Sequence, residues 1–530
     1  MRKGLATSWM KTSVKPSLIQ NPAHTERPSF PSPTKYVDSN RFPPFLGGQS
    51  RSDFILHHRA ISAAMEKRAA TPPGPPRPNP TTSYWHDPPS SLASHRSTND
   101  LPSSTDVVII GSGITGTVVA HNLLKQPSPP SIVMLEARTA CSGATGRNGG
   151  HTKCASYRSF LGNVASLGET EAAKIARFEY NSMKAVHAFA REHKIECDSW
   201  EGETVDVVYD EAEWEKAKKA VAEMKRILGE HEPASAYKWW TGQEAEKKFL
   251  TPGALGALTY EAGSLSAYRF VIGLLGLLVD EGLNLQTETP AISISQCGGS
   301  GGSGERRRKW IVETPRGSVE ANKVILATNG YTAYLYPALQ GIVVPLRGHI
   351  TAHRPGNGIP NDGLKYTYSF IYDGGYEYMI SRRPRSKFAG DIIIGGGLTK
   401  AAEGGLYEFG TTDDATTDPV IISYLRDSTT SYFDRNWGQD HPEGRIRKAW
   451  SGIMGYSADG FPLIGHIPDM GGLYVAASFQ GHGMVLCFSS ATALATMMAG
   501  GDEEELYQWF PKAFCMTAER FNSRFKGRLA

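Results

Sequence analysis

A chain of 530 residues, 40% of them hydrophobic, is long enough for two packed domains and an extension, and its net charge of +3 leaves no strong basic field for nucleic acid. The six cysteines, at 141, 154, 197, 297, 487 and 515, form neither a CxxC pair nor a metal-like cluster, which argues against a disulfide framework or a zinc site and for free thiols in a reducing compartment. No secretory segment and no run of about 18 apolar residues occurs, so a soluble, cytoplasmic protein without an integral membrane segment is expected.

Residues 1–103 hold 13 Lys/Arg against 6 Asp/Glu and 16 of the 33 prolines. Proline removes backbone donors and fixes φ, so residues 1–100 are expected to be a basic, largely disordered extension. Arg2, Lys3, Lys11 and Lys15 stand without an acid among the first twenty residues. That composition admits a mitochondrial transit peptide as the alternative to a solvated tail, or to translation starting at Met65.

Regular patterning begins at DVVIIGSGITGTVVAHNLL, an apolar strand running through a glycine turn into a helix, and SIVMLEA (131–137) supplies the second strand of a βαβ unit. Farther on, Trp214, Ala217, Val221, Met224 and Leu228 recur at helical spacing and predict a core face. YRFVIGLLGLLVDEG (268–282) reads as a helix too short to span a bilayer, and QCGGSGGSGERRRKW (296–310) as a flexible hairpin tip. A β-rich region follows ANKVILATNG (321–330), and the strand GGLYVAAS (471–478) then turns through FQGHGM into an apolar helix.

In GSGITG, Gly111 permits the tight turn, Gly113 lets backbone approach a pyrophosphate, and Gly116 packs helix on strand. Ile114 and Thr115 open the helix whose free amides face the anion. Glu136, 20 residues after Gly116, is placed to accept hydrogen bonds from an unphosphorylated ribose, with Ala137 and Arg138 beside it. The small-residue loop that follows separates FAD from NAD. Ser142, Gly143, Thr145, Gly146, Gly149 and Gly150 would let the main chain run along an extended ligand with Asn148 a further contact, Arg147 would neutralise phosphate, and His151 would arrive at the ring.

With SGATGRNGGH, ANKVILATNGY, WSGIMGYSADGFPLIG and FQGHGM added to the glycine turn and Glu136, residues 100–500 resemble the D-amino-acid oxidase and sarcosine oxidase superfamily of flavoproteins, in particular the γ-glutamylputrescine oxidase branch. The resemblance implies FAD, an amine or amino-acid substrate, hydride transfer from carbon to flavin N5, hydrolysis of the imine to an aldehyde or keto acid, and reoxidation by O2 to H2O2. It also marks Ala327 and the turn Gly481, His482, Gly483 and Met484 as cofactor contacts. Amides of that turn would stabilise reduced flavin.

Two positions depart from the monomeric sarcosine oxidases. Their covalent flavin cysteine is matched by Ser451, so the flavin is expected to be non-covalent, with His151, Cys141 and Cys487 the remaining attachment points. Their carboxylate-holding lysine is matched by Val485, which leaves Arg347, Arg382 or Arg383 to anchor a carboxylate. Tyr376 and Tyr378 alternate along GGYEYMI and are predicted to form an aromatic wall for an amine, with Trp450 a candidate lid and His151 and His482 candidate catalytic groups. A flavin dehydrogenase passing electrons to a quinone or protein, or a flavin-binding protein with altered catalysis, are the rival readings.

The predicted architecture is α/β: a Rossmann-type FAD-binding domain assembled from residues 101–170, 255–335 and 445–510, plus a β-sheet-rich α+β substrate domain from 171–254 and 336–444, and a C-terminal tail over 511–530. Nothing in the pattern sets the oligomeric state.

Overall fold

The computed structural model describes residues 63–297 and 309–527. The basic stretch 1–20 and most of the glycine-rich hairpin tip lie outside them. Through the first half run β1 (Ser104–Ile110), α1 (Ile114–Leu124), β2 (Ile132–Leu135), β3 (His151–Thr152), α2 (Tyr157–Leu167) and α3 (Glu169–Glu192). Next come β4 (Trp200–Val208), α4 (Glu211–Leu228), β5 (Lys238–Thr241), β6 (Gly256–Ser264), α5 (Ala267–Asp280) and β7 (Asn284–Gln286). The second half adds β8 (Ser293–Gln296), β9 (Trp310–Thr314), β10 (Gly317–Leu326), β11 (Val344–His353), β12 (Thr367–Tyr372), β13 (Gly375–Ser381) and β14 (Ile392–Gly395). Then follow β15 (Ile446–Tyr456), β16 (Leu463–His466), β17 (Leu473–Ala477) and α6 (Gly483–Met498), with short helices over Glu503–Trp509 and Ala518–Asn522 after them.

One sheet has the order β16-β17-β10-β1-β2-β7, parallel from β17 to β7 with β16 antiparallel at its edge. Val107–Ile110 and Ile132–Leu135 are buried on both faces, as the continuous apolar runs of a covered parallel sheet require. Helix α6, apolar all round, wedges between α1 and α3 and buries Val485, Leu486, Leu494 and Met498. At about 1.5–3 kcal/mol for each large side chain taken from water, that seam fixes where the turn before α6 points.

The second sheet, β15-β11-β14-β13-β12-β4-β6-β3, is antiparallel apart from the β12–β4 pair, with β5 added beside β6. Strands β6 and β15 are members of this sheet. The expected assignment of 255–335 and 445–510 wholly to the Rossmann-type domain is therefore corrected, because Gly256–Ser264 pairs with Trp200–Val208 and Ile446–Tyr456 with Val344–His353. Helix α4 buries Ala217, Val221, Met224 and Leu228, the face its spacing predicts, and Asp210 caps it by accepting from the Glu213 amide.

A second correction concerns the extension. Residues 71–100 are packed across both sheets: Ser97 N–H donates to Leu285 O at 2.9 Å, Thr81 N–H to Asp414 O at 2.7 Å, and Tyr84 O–H to Asp391 at 3.1 Å. Prolines forbid a helix there but not an extended strap, and Tyr84 and Trp85, 5% and 6% exposed, supply the apolar area that holds it down. The C-terminal segment is likewise docked, with Phe514 and Phe525 buried and the Phe525 amide donating to Gly341 O at 2.7 Å. Among the described residues no helix is long and apolar enough to cross a membrane.

Candidate functional site

Where the two sheets meet, a cavity of about 2000 Å³ runs from the glycine turn after β1 to the β13 wall. Ordinary small-molecule pockets occupy roughly 300–1,000 Å³, so this one has room for an extended dinucleotide and a second ligand.

The dinucleotide rim is made largely of backbone. Gly111 has φ +111, and a Cβ there would lie 2.6 Å from Ala327 O; a Cβ on Gly116 would lie 2.1 Å from Gly111 O. Gly116 thus closes helix on strand without reaching the cavity. Gly113, Ile114 and Thr115 line it, the N-cap Gly113 bringing no side-chain cap to compete for the first-turn amides. Glu136 directly follows β2 and accepts from Ser112 Oγ at 2.6 Å and from the Arg138 amide at 3.0 Å, which fixes its carboxylate at the cavity edge beside Ala137.

The loop 142–150 carries two corrections. Arg147 is 1% exposed and spent on structure: it donates to Ser142 O at 3.0 Å and Ser451 O at 2.9 Å, and lies 3.6 Å from Asp414. Its guanidinium is not free to neutralise a phosphate. Ser142 is buried away from the cavity, its hydroxyl accepting from Arg138 Nε at 3.1 Å, and Arg138 itself holds Asp414 at 2.9 Å. The loop lines the cavity with Gly143, Ala144, Thr145, Asn148, Gly149 and Gly150, and with Arg147, whose guanidinium is held by its protein partners. Thr145 Oγ1 accepts from the Ile114 amide at 3.1 Å, joining the loop to the start of α1. A Cβ on Gly149 would strike the Tyr378 ring at 2.4 Å, so close approach of loop and wall demands glycine here. The strap clamps this loop from behind, Ser83 Oγ donating to Gly146 O at 2.7 Å and Trp85 Nε1 to Asn148 O at 2.5 Å. Trp450 is no lid: it is fully buried, donates to Arg147 O at 2.7 Å and stacks on Tyr84.

Ala327 and the turn Gly481, His482, Gly483 and Met484 reach the cavity from the α6 end, and Asn148 Nδ2 touches Met484 Sδ at 3.2 Å. Burial pushes the Cys141 thiol well up and the Cys487 thiol up to about 12, and Cys141 does not reach the cavity.

On the far rim, Tyr376 and Tyr378 lie on the cavity face of β13, as alternation predicts. His151, on β3 opposite Ser264, is 9% exposed with its Nε2 unpartnered, and burial, then Lys153 and His482, hold its pKa well below the usual imidazole value. Such an imidazole is neutral with an unused ring nitrogen. His482 Nε2 is 3.7 Å from the carboxyl of Glu179, whose other oxygen accepts from Ser156 Oγ. Burial raises Glu179 to about 8.

Glu179 was not singled out from the sequence. Its signal was there: on α3 it sits among Ile175, Ala176, Ser182 and Met183, at the i±3 and i±4 positions of a buried stripe. Lys153, paired with Asp206 at 2.9 Å, and Arg158, 3.8 Å over the Tyr376 ring, also line the cavity and carried no signal. The proposed carboxylate anchors are taken up by protein partners, although Arg347 lines the cavity. Arg347 grips Glu408 at 2.6 Å, Arg382 grips Asp198 at 2.9 Å, and Arg383 stacks 3.5 Å over Trp200 while donating to Leu364 O.

A parallel nucleotide-binding sheet that shares its cavity with an antiparallel sheet defines a two-domain, dinucleotide-binding class of protein. The family model described as "DAO: FAD dependent oxidoreductase" matches residues 106–497, and the chain belongs to that family of FAD-dependent oxidoreductases. It is 25% identical over 415 residues to the probable oxidoreductase OrdL of Rhizobium meliloti (strain 1021), covering 75% of this chain and 84% of that one. Among solved structures it resembles glycine oxidase from Geobacillus kaustophilus, with TM-score 0.61, 20% identity, and 79% and 99% of the two chains covered. L-amino acid deaminase from Proteus myxofaciens matches with TM-score 0.60 and 16% identity over 85% and 100%.

Proposed function

We propose that the protein oxidises a carbon–nitrogen bond of a small amine or amino acid, with FAD held non-covalently in the cavity. The observation that carries this reading is one continuous cavity joining the glycine turn to a wall of two tyrosines, a neutral histidine and a carboxyl poised near neutrality. The names of the similar structures, glycine oxidase and L-amino acid deaminase, point the same way.

The residues fit the cofactor. Gly111, Gly113 and the first-turn amides at Ile114 and Thr115 would take the pyrophosphate by backbone and helix dipole alone, and Glu136 would take the ribose. Gly143, Thr145, Asn148, Gly149, Gly150, Ala327 and the turn 481–484 would flank the rest of the ligand. Ser451 and the protonated Cys487 leave no thiolate for a covalent link. FAD, when bound, supplies the hydride acceptor.

The chain's own residues then handle the substrate nitrogen. An ammonium must lose a proton before its lone pair can form C=N as hydride departs, and Glu179, close to neutrality, is the matched acceptor, with His482 beside it. His151 is too weak a base for that role. Its unpartnered Nε2 instead serves to orient the nitrogen. Tyr376 and Tyr378 exclude water and favour a cationic or neutral amine, by roughly 0.5–2 kcal/mol. The imine hydrolyses to an aldehyde or keto acid, and O2 takes the electron pair as H2O2. The test is product stoichiometry under air: one carbonyl, one ammonia or amine and one H2O2 per turnover are expected. Carbonyl without peroxide, formed only with an added quinone, would shift the acceptor assignment; no carbonyl from any amine would overturn the reading.

A further inference from the structure

Three successive carbonyls of the loop behind the cavity are held from outside it. Gly146 O accepts from Ser83 Oγ at 2.7 Å, Arg147 O from Trp450 Nε1 at 2.7 Å, and Asn148 O from Trp85 Nε1 at 2.5 Å. Ser83 and Trp85 belong to the strap, and Tyr84 between them stacks on Trp450 with ring centroids 6.2 Å apart. None of these three donors lines the cavity. Residues 83–85 also precede the stretch 106–497 that the family model matches, so the strap's donors come from chain beyond it.

A trans peptide carries its C=O and the following N–H on opposite sides of one plane, so holding an oxygen fixes the direction of the next amide. Trp450 thereby sets the Asn148 amide, and Trp85 sets the Gly149 amide. Both residues line the cavity, and among the described residues neither amide has a protein acceptor. Neighbouring amides left free in this way are preorganised donors for an electron-rich atom. Asn148 spreads the constraint further. Its Nδ2 donates to Thr145 O at 3.0 Å and reaches Met484 Sδ at 3.2 Å, and its Oδ1 accepts from the Gly150 amide at 2.8 Å. One indole N–H behind the loop therefore bears on both cavity-lining segments, 145–150 and 481–484.

We infer that Ser83 and Trp85 are positioning residues for FAD, locking the peptide planes of the loop so that the Asn148 and Gly149 amides donate to the cofactor. This rests on FAD lying along the loop and on no particular amine. Neither side chain touches the ligand; each acts through the backbone that it holds.

The test compares FAD-loaded wild type, Ser83→Ala, Trp85→Phe, which keeps a ring but no N–H, and Ser97→Ala as control. Ser97 is also on the strap, but its hydroxyl donates to Leu283 O and accepts from the Leu285 amide, away from the loop. Each protein is diluted and FAD release followed by flavin fluorescence; the flavin midpoint potential is read by dithionite titration against a reference dye. Ser83→Ala and Trp85→Phe should each weaken FAD binding by roughly tenfold. Trp85→Phe should also lower the potential, because donors at the ring favour the electron-rich reduced flavin. Ser97→Ala should match wild type in both measurements. Wild-type affinity and potential in Ser83→Ala and Trp85→Phe, or an equal loss in Ser97→Ala, overturns the inference. Undiminished FAD retention in Gly113→Val instead sinks the cofactor placement on which the inference rests.

Discussion

The two rims of the cavity handle charge in opposite ways. Around the glycine turn the buried guanidiniums are matched, Arg138 and Arg147 facing Asp414, and what remains for a ligand is mostly backbone, with the Glu136 carboxylate held by Ser112 Oγ and the Arg138 amide. Around β13 the charges are left open or neutralised by burial, as Arg158, His151 and Glu179 show. A rim of amides reads any dinucleotide of the right shape, whereas a rim of mismatched titratable groups is tuned to one chemistry.

The comparison is broken most severely at Asp414. Asp414→Asn strands two buried guanidiniums, and we expect a loss of about 3–5 kcal/mol in unfolding free energy, measured by denaturant titration of the FAD-free and FAD-loaded protein. A near-wild-type midpoint would mean the dinucleotide rim is not charge-matched after all. Gly113→Val acts on the same rim without the same cost. Its Cβ meets only Thr145 Oγ1 at 3.1 Å, so the fold should survive while bulk enters the cavity and FAD affinity falls by roughly ten- to hundredfold, read as flavin content after gel filtration.

On the other rim the expected effects are smaller and depend on pH. The fold raises the Glu179 carboxyl from 4.5 to about 8, so folding favours the protonated acid; the penalty is absent below the unfolded value and grows as pH rises toward 8. Glu179→Gln removes that penalty. Its stability relative to wild type should climb by up to roughly 1.4 kcal/mol per pH unit between about pH 5 and pH 8, in paired thermal melts. Turnover of wild type should rise with pH through about 8 as the acceptor ionises, and Glu179→Gln should lose that limb. The smallest effect belongs to Arg158→Gln. With no carboxylate within 4.0 Å to strand among the described residues, it should change unfolding free energy by less than about 1 kcal/mol, against the several expected at Asp414.

This asymmetry also explains what could be read without coordinates. Gly111, Gly113, Gly116 and Glu136 announce themselves because a backbone cradle leaves small residues at fixed spacing, and the strands and helices around them follow from apolar period. Membership of β6 and β15 in the antiparallel sheet did not follow, since strand pairing between residues 48 to 112 apart leaves no local pattern. The strap at 71–100 was hidden for a different reason: proline density speaks against helix and sheet, but is silent about extended chain docked by Tyr84 and Trp85. Arg147 looked like a phosphate ligand and Arg347 like a carboxylate anchor because a guanidinium's partner is invisible until Asp414 and Glu408 arrive from distant segments. Glu179 was masked by the charged helix that carries it.

Anaerobic mixing of the purified FAD-loaded protein with amines and amino acids, followed through the oxidised flavin band, tests the central claim most directly. The account predicts full bleaching by at least one compound whose reacting centre is a C–N bond, at a rate that rises with pH through about 8. A flavin that stays oxidised across that panel but bleaches with a hydroxy acid or a sugar phosphate would contradict it.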